Sequence, residues 1–130
     1  MGSAQLHFGA HANVRDYADG GRSIRYRQRA FLNSVDTRFL ATPSMLAAND
    51  RGFGLEAAVL NGRWHAQAEA HWNRVERIGT TADPTFFGFA VETGFFLTND
   101  ARSYRGGIFR GPSVRRPVTT GGTGAVQVNV

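Results

Sequence analysis

Phe53-Gly54-Leu55-Glu56-Ala57-Ala58-Val59-Leu60-Asn61-Gly62-Arg63-Trp64-His65-Ala66-Gln67-Ala68-Glu69-Ala70 is the stretch on which the fold turns. Two alternating segments flank Asn61-Gly62, the strongest short hairpin signal. With a two-residue turn there, residue 60 pairs with 63 and 59 with 64. One face then holds Phe53, Leu55, Ala57, Val59, Trp64, Ala66, Ala68 and Ala70. The other holds Gly54, Glu56, Ala58, Leu60, Arg63, His65, Gln67 and Glu69. Turn and alternation are separate signals, and they agree; a one-residue slip would mix oily and polar faces.

The same period of two extends outward in both directions. Ala4, Leu6, Phe8, Ala10, Ala12 and Val14 alternate with Gln5, His7, Gly9, His11, Asn13, Arg15 and Tyr17. Asp19-Gly20-Gly21 supplies turn residues. From Ile24 to Leu32 the pattern places Ile24, Tyr26, Gln28, Ala30 and Leu32 against Arg25, Arg27, Arg29 and Phe31. Phe87, Phe89, Val91, Thr93, Phe95 and Leu97 oppose Phe86, Gly88, Ala90, Glu92, Gly94, Phe96 and Thr98, and Gly124 to Val130 alternates again. Residues 33–52 and 99–123 read as long connections, the first with a short strand near Thr37 to Ala41. The fold class expected is all-β, an antiparallel meander of long hairpins.

Composition narrows the function. The chain has 130 residues and a formal net charge of +5, and all 15 of its basic residues are arginine. Guanidinium stays charged, is weakly hydrated and presents a planar fork to oxyanions, so the surplus points to an anionic partner. There is no cysteine, which excludes a disulfide framework, a thiolate metal site and a cysteine nucleophile. No run of about 18 apolar residues exists, and Met1-Gly2-Ser3 opens no export signal.

A soluble β-sandwich or small ligand-binding barrel explains period two as well as a membrane barrel does. Two features lean toward the membrane. Several strands run to about 12–14 residues, against about 5–6 in ordinary sheets and about 9–11 for a membrane-spanning strand. The polar faces also carry Arg, His, Glu, Asn and Gln at mid-strand. Trp64 and Trp72 share an apolar face. At ~3.3 Å per residue and a ~40° tilt they lie about 20 Å apart in depth, close to the separation of aromatic girdles. Arg74 continues that face beyond Trp72, placed to snorkel toward head groups.

The stretch from Gly88-Phe89-Ala90-Val91-Glu92-Thr93-Gly94-Phe95-Phe96-Leu97-Thr98 through Arg102-Ser103-Tyr104-Arg105, Phe109 and Gly121 to Val126 resembles a late part of the phosphate-selective porin O and P family. Gly54-Leu55-Glu56, Gln67-Ala68-Glu69 and Arg25-x-Arg27-x-Arg29 are similar to it too. The resemblance implies an outer-membrane transmembrane β-barrel in a Gram-negative-type bacterium. Members form trimers of barrels of about sixteen strands, with loops folded into the lumen. These residues would be a fragment of one barrel domain, about six or seven strands of it. The implied partners are inorganic phosphate or similar small anions, and lipid and lipopolysaccharide, with a homotrimer in the intact parent and no nucleic acid.

Three arginines at period two are the central candidate site. On a strand, Arg25, Arg27 and Arg29 fall roughly 6.5–7 Å apart. That spacing suits a ladder of weak sites handing an anion from rung to rung of an aqueous pore. Arg15 falls on a polar face and extends the field. The competing reading is a soluble basic β domain binding nucleic acid or another polyanion. It would use the same charge, with phenylalanines as stacking platforms.

Enzymatic chemistry has little support. Glu56, Glu69 and Glu92 are expected to pair structurally with arginines rather than to form a dyad. His7 and His11 are about 13 Å apart along one strand, too far for one metal ion, and His65 and His71 are farther. Ser44, Ser113 and the Gly52 to Gly54 and Gly106-Gly107 turns match no catalytic or phosphate-loop pattern. No cofactor and no metal are expected.

Overall fold

A computed structural model describes residues 4–29, 36, 38–80 and 82–130. The described residues are all-β apart from a single 3-10 turn at Val118–Thr120. The strands are β1 (Gln5–Asp16), β2 (Arg22–Ile24), β3 (Arg27–Arg29), β4 (Arg38–Ala41), β5 (Met45–Asn61), β6 (Trp64–Arg77), β7 (Thr85–Phe96), β8 (Ala101–Arg105), β9 (Ile108–Ser113) and β10 (Gln127–Asn129). The main sheet runs β1-β5-β6-β7-β10, with β2 also paired to β5. β3-β4 and β8-β9 form two further two-stranded sheets.

The long strands form two compact units. One comprises residues 1–11, 54–71 and 88–130; the other comprises 12–53 and 72–87. Each contains its own stretch of antiparallel wall, and each buries polar groups.

In both units the exposed side of the wall is oily. Phe8 is 78% exposed, Phe89 73%, Leu55 44% and Trp64 43%. Leu6, Val14, Phe53, Phe87, Val91, Phe95 and Val128 are exposed with them. Burial occurs on the opposite face, and it takes in polar groups, His65 and Asp50 at 1% exposed each, beside a few apolar ones, Met45, Ala47, Leu60, Val75 and Phe96. A water-soluble sheet packs the other way round, because burying apolar area is the dominant favourable term in its folding.

Glycines make the polar face possible. A Cβ at Gly9 would strike the Glu56 side chain, at Gly54 the His11 ring, at Gly52 the side chains of Asn13 and Asn73, and at Gly94 the His65 ring. Large polar side chains therefore lie flat across backbone that has no side chain of its own.

Several elements differ from the sequence expectation. The β5-β6 turn comprises Gly62 and Arg63 rather than Asn61 and Gly62. Gly62 has φ 59° while Arg63 keeps a negative φ, as a turn with glycine first requires. Moving the turn by one residue shifts each pairing by two, so both faces survive and Glu56 comes opposite Glu69 instead of Gln67. Within the span 33–52 the short strand expected near Thr37 to Ala41 is present as β4, and the span also contains the first part of β5, which was not expected. That part escaped detection because its burial rhythm slips: Met45 and Ala47 are buried, then Asp50, Gly52 and Gly54. The span 99–123 contains the β8-β9 hairpin, turned at Gly106-Gly107 with φ 62° and 79°.

The arginine stretch is not one strand. β2 ends at Ile24 and pairs with β5; β3 begins at Arg27 and pairs with β4. The register between Gln28 and Arg29 is shifted, with Arg27 opposite Ala41 and Arg29 opposite Arg38. Residues 30–32 of the expected strand lie outside the described residues.

Candidate pore-lining site

One candidate arginine, Arg15, reaches a buried carboxylate. Asp50 is carried inward on β5, where its Oδ2 accepts hydrogen bonds from the Tyr17 hydroxyl at 2.7 Å and the Tyr26 hydroxyl at 3.4 Å. Arg15 Nη1 stands 3.5 Å from the same oxygen. A buried carboxylate needs such donors, since burying an unpaired charge is expensive. Arg15 itself remains largely solvated, so this pair is weak as a salt bridge and serves mainly to aim the guanidinium.

Tyr26 explains the break in the arginine strand. Its backbone N–H donates to Thr42 Oγ1 at 3.0 Å, its hydroxyl reaches Asp50, and its ring meets Phe86 at 5.1 Å. Residues 25 and 26 lie between β2 and β3, and the Tyr26 carbonyl accepts the Thr42 N–H at 2.9 Å, on the β3-β4 side of the break. Arg25 and Arg27, on either side of Tyr26, are exposed and form no ion pair among the described residues. Arg29 closes β3; its side chain lies outside the described residues. The structure thus brings Arg15 and the Arg25–Arg27 segment to one carboxylate through Tyr26.

The unit containing His65 carries a second polar cluster. His65 Nε2 lies 3.2 Å from both Arg102 Nη1 and Gln127 Nε2. Arg102 also stands 3.4 Å from Glu92, and Glu92 accepts from Gln67 at 3.1 Å. Arg102 comes from β8, and its guanidinium rests 5.1 Å over the Phe109 ring of β9. Phe109 meets His65, and Tyr104 meets both Phe109 and His7. The β8-β9 hairpin therefore lies against the polar face of its unit. Burial and the nearby Glu56 charge push the Tyr104 phenol above its ordinary range.

Glutamate pairing is only partly with arginine. His7 Nε2 is 2.8 Å from Glu56, and His71 is 3.6 Å from Glu69; among the described residues Glu92 is the one of the three that pairs with an arginine. His11 and His71 stack across strands with ring centroids 5.3 Å apart, a meeting that spacing within one strand does not reveal. No group of three or more His, Asp or Glu fit to hold a metal ion occurs among the described residues.

Asp50, Tyr26 and Arg102 are the site residues that sequence reading missed. Tyr26 sat on the wrong side of an assumed strand, and Asp50 and Arg102 fell in assumed connections. The glycines on the wall mark where the side chains of Glu56, His11, Asn13, Asn73 and His65 cross it, and none of them marks Asp50, Tyr26 or Arg102.

An antiparallel wall with an oily exposed face and buried polar groups behind it is that of a transmembrane β-barrel, and β1 and β10 stand at the two ends of its strand order. The family described as phosphate-selective porin O and P matches over residues 1–130, and the chain belongs to it. A protein of Caulobacter vibrioides named only as uncharacterized is 42% identical over 133 residues, covering 100% of this chain. The chain spans 26% of that relative's length. No solved structure matches the chain. The family is one of porins, which conduct rather than catalyse.

Proposed function

We propose that this chain is part of an outer-membrane porin through which small anions, phosphate or its like, diffuse passively. The oily face meets lipid and the polar face meets an aqueous pore. Arg15, Arg25, Arg27 and Arg29 supply the anion contacts, and the intact protein assembles as a trimer in contact with lipid and lipopolysaccharide.

One observation carries this reading: phenylalanines and leucines are exposed on the wall while Asp50 and His65 are buried on it. In lipid that arrangement is favourable, and in water it is not. Arg25 and Arg27, exposed and without an ion pair among the described residues, fit weak, exchangeable anion contacts, since a site tight enough to hold an ion would stop conduction. Nucleic-acid binding is less well supported, because the exposed phenylalanines belong to the oily face of the long strands rather than to the Arg25–Arg27 segment.

The test is conductance of the full-length protein in planar bilayers. Wild type should carry current mainly by anions. Arg27→Glu should lower or reverse that selectivity, and an unchanged reversal potential would defeat the arginine assignment.

A further inference from the structure

The exposed face of β5 and β6 carries two arginines that the pore does not use. Burial alternates along β5, with Asp50, Gly52 and Gly54 buried and Arg51, Phe53 and Leu55 exposed. On β6, Val75 is buried and Arg74 is exposed. Arg51 and Arg74 thus project from the oily side of the wall.

They are cross-strand neighbours. The Phe53 and Trp72 rings meet at 5.9 Å on one side of the pair. On the other, Asn49 Nδ2 donates to Glu76 at 2.6 Å. These two contacts fix the antiparallel register and leave Arg51 opposite Arg74. Both line a recess of about 200 Å³, together with Asn49, Glu76 and Asp83.

Like charges directly opposite on a sheet repel, with Cβ atoms about 4.5–5.5 Å apart. The carboxylates of the recess are aimed by neutral donors, Glu76 accepting from Asn49 and Asp83 accepting the Arg77 backbone N–H at 3.0 Å, and keep their charge. Neither Arg51 nor Arg74 forms an ion pair among the described residues. Beside them the Phe53, Trp72 and Phe87 rings form a continuous aromatic cluster, Trp72 and Phe87 meeting at 5.0 Å. Such clusters sit at head-group depth, where indole and phenyl rings meet the polar boundary.

We infer that Arg51 and Arg74 form a binding site for the phosphate of an anionic membrane-lipid head group, with Phe53 and Trp72 packing against the adjoining acyl chain. The inference rests on the lipid-facing reading of this side of the wall. Two guanidinium forks converging on one phosphate relieve their mutual repulsion and satisfy its oxygens. The site is distinct in role from Arg25 and Arg27: it anchors the wall and passes nothing.

The test is tryptophan quenching in the full-length protein, reconstituted with Trp72 as its sole tryptophan. Bilayers of brominated phosphatidylcholine should quench Trp72; absence of quenching would overturn the lipid-facing reading itself. In mixed bilayers, brominated phosphatidylglycerol should quench beyond its share, reporting local enrichment. Arg51→Gln with Arg74→Gln should cut that preference about thirtyfold, from two basic side chains at the membrane surface. Quenching by phosphatidylcholine with a preference the double variant leaves unchanged would overturn only the phosphate site. So would loss of the preference on adding free inorganic phosphate, which would make this a site for the free anion.

Discussion

The Asp50 and His65 clusters solve the same problem with opposite charge logic. Around Asp50 one buried anion gathers Tyr17, Tyr26 and Arg15. Around His65 a buried ring meets a cation, Arg102, whose charge is balanced by Glu92. The first ties together segments that continue directly into the arginine stretch. The second ties a hairpin down onto the wall. A polar wall face can therefore be packed from either sign of charge when each buried side chain is held through one of its atoms, Oδ2 of Asp50 and Nε2 of His65, while Asp50 Oδ1 and His65 Nδ1 stay buried without a hydrogen bond. The difference lies in what the partners are free to do: the donors to Asp50 adjoin exposed arginines, whereas the donor to His65 is itself held down.

Removing the anion should have the larger effect. Asp50→Ala leaves two tyrosine hydroxyls without their acceptor, and we expect a loss of about 2–3 kcal/mol, typical of hydrogen bonds to a charged group. Chemical denaturation of the full-length protein in detergent reads this out. Anion selectivity should weaken as well, because Arg15 and Tyr26 lose their common anchor. Asp50→Asn should retain more stability than alanine. Equal stability of Asp50→Ala and wild type would show that the cluster anchors nothing.

Removing the cation should cost less. Arg102 and Glu92 are both partly solvated, so their pairing is screened, and Arg102→Ala should cost about 1 kcal/mol, mostly as lost contact with Phe109. The change should be local. Amide exchange should quicken in β8 and β9 while β5 and β6 stay protected. Uniform loss of protection would contradict a separately docked hairpin.

A smaller, pH-dependent effect concerns the approach to that hairpin. Asp100 is buried, accepts the Arg115 backbone N–H at 2.8 Å and the Thr98 hydroxyl at 2.5 Å, and these bonds hold its carboxyl below the ordinary range. A group with a depressed folded pKa stabilises above its unfolded value of about 3.9 and loses that contribution as pH falls through the lower folded value. The loop should thus stay ordered at neutral pH and loosen only in strong acid. Asp100→Asn should remove that acid sensitivity, which proteolysis of the loop across a pH series would show.

The long strands were legible in the sequence because a two-sided wall imposes a strict period. Phe8, Leu55, Trp64 and Phe89 all lie on the exposed oily side expected of them. The polar clusters were not legible, because they depend on contacts between distant segments. Nothing near Asp50 announces Tyr17 and Tyr26, which are 33 and 24 residues away in sequence. The even spacing of Arg25, Arg27 and Arg29 suggested an uninterrupted strand, yet Tyr26's tertiary bonds to Thr42 and Asp50 override the local pattern. Periodicity records which face a residue prefers, and it is silent on whether a partner elsewhere will break the strand.

The inverted wall can be tested with single cysteines, since these 130 residues contain none. Phe89→Cys and Gln67→Cys, each carrying a small fluorophore in the reconstituted full-length protein, should respond oppositely. The label at 89 should be quenched by nitroxide-bearing lipid and ignored by aqueous iodide, and the label at 67 should show the reverse. Iodide quenching at 89 with lipid quenching at 67 would contradict a wall that turns its oily side to the membrane.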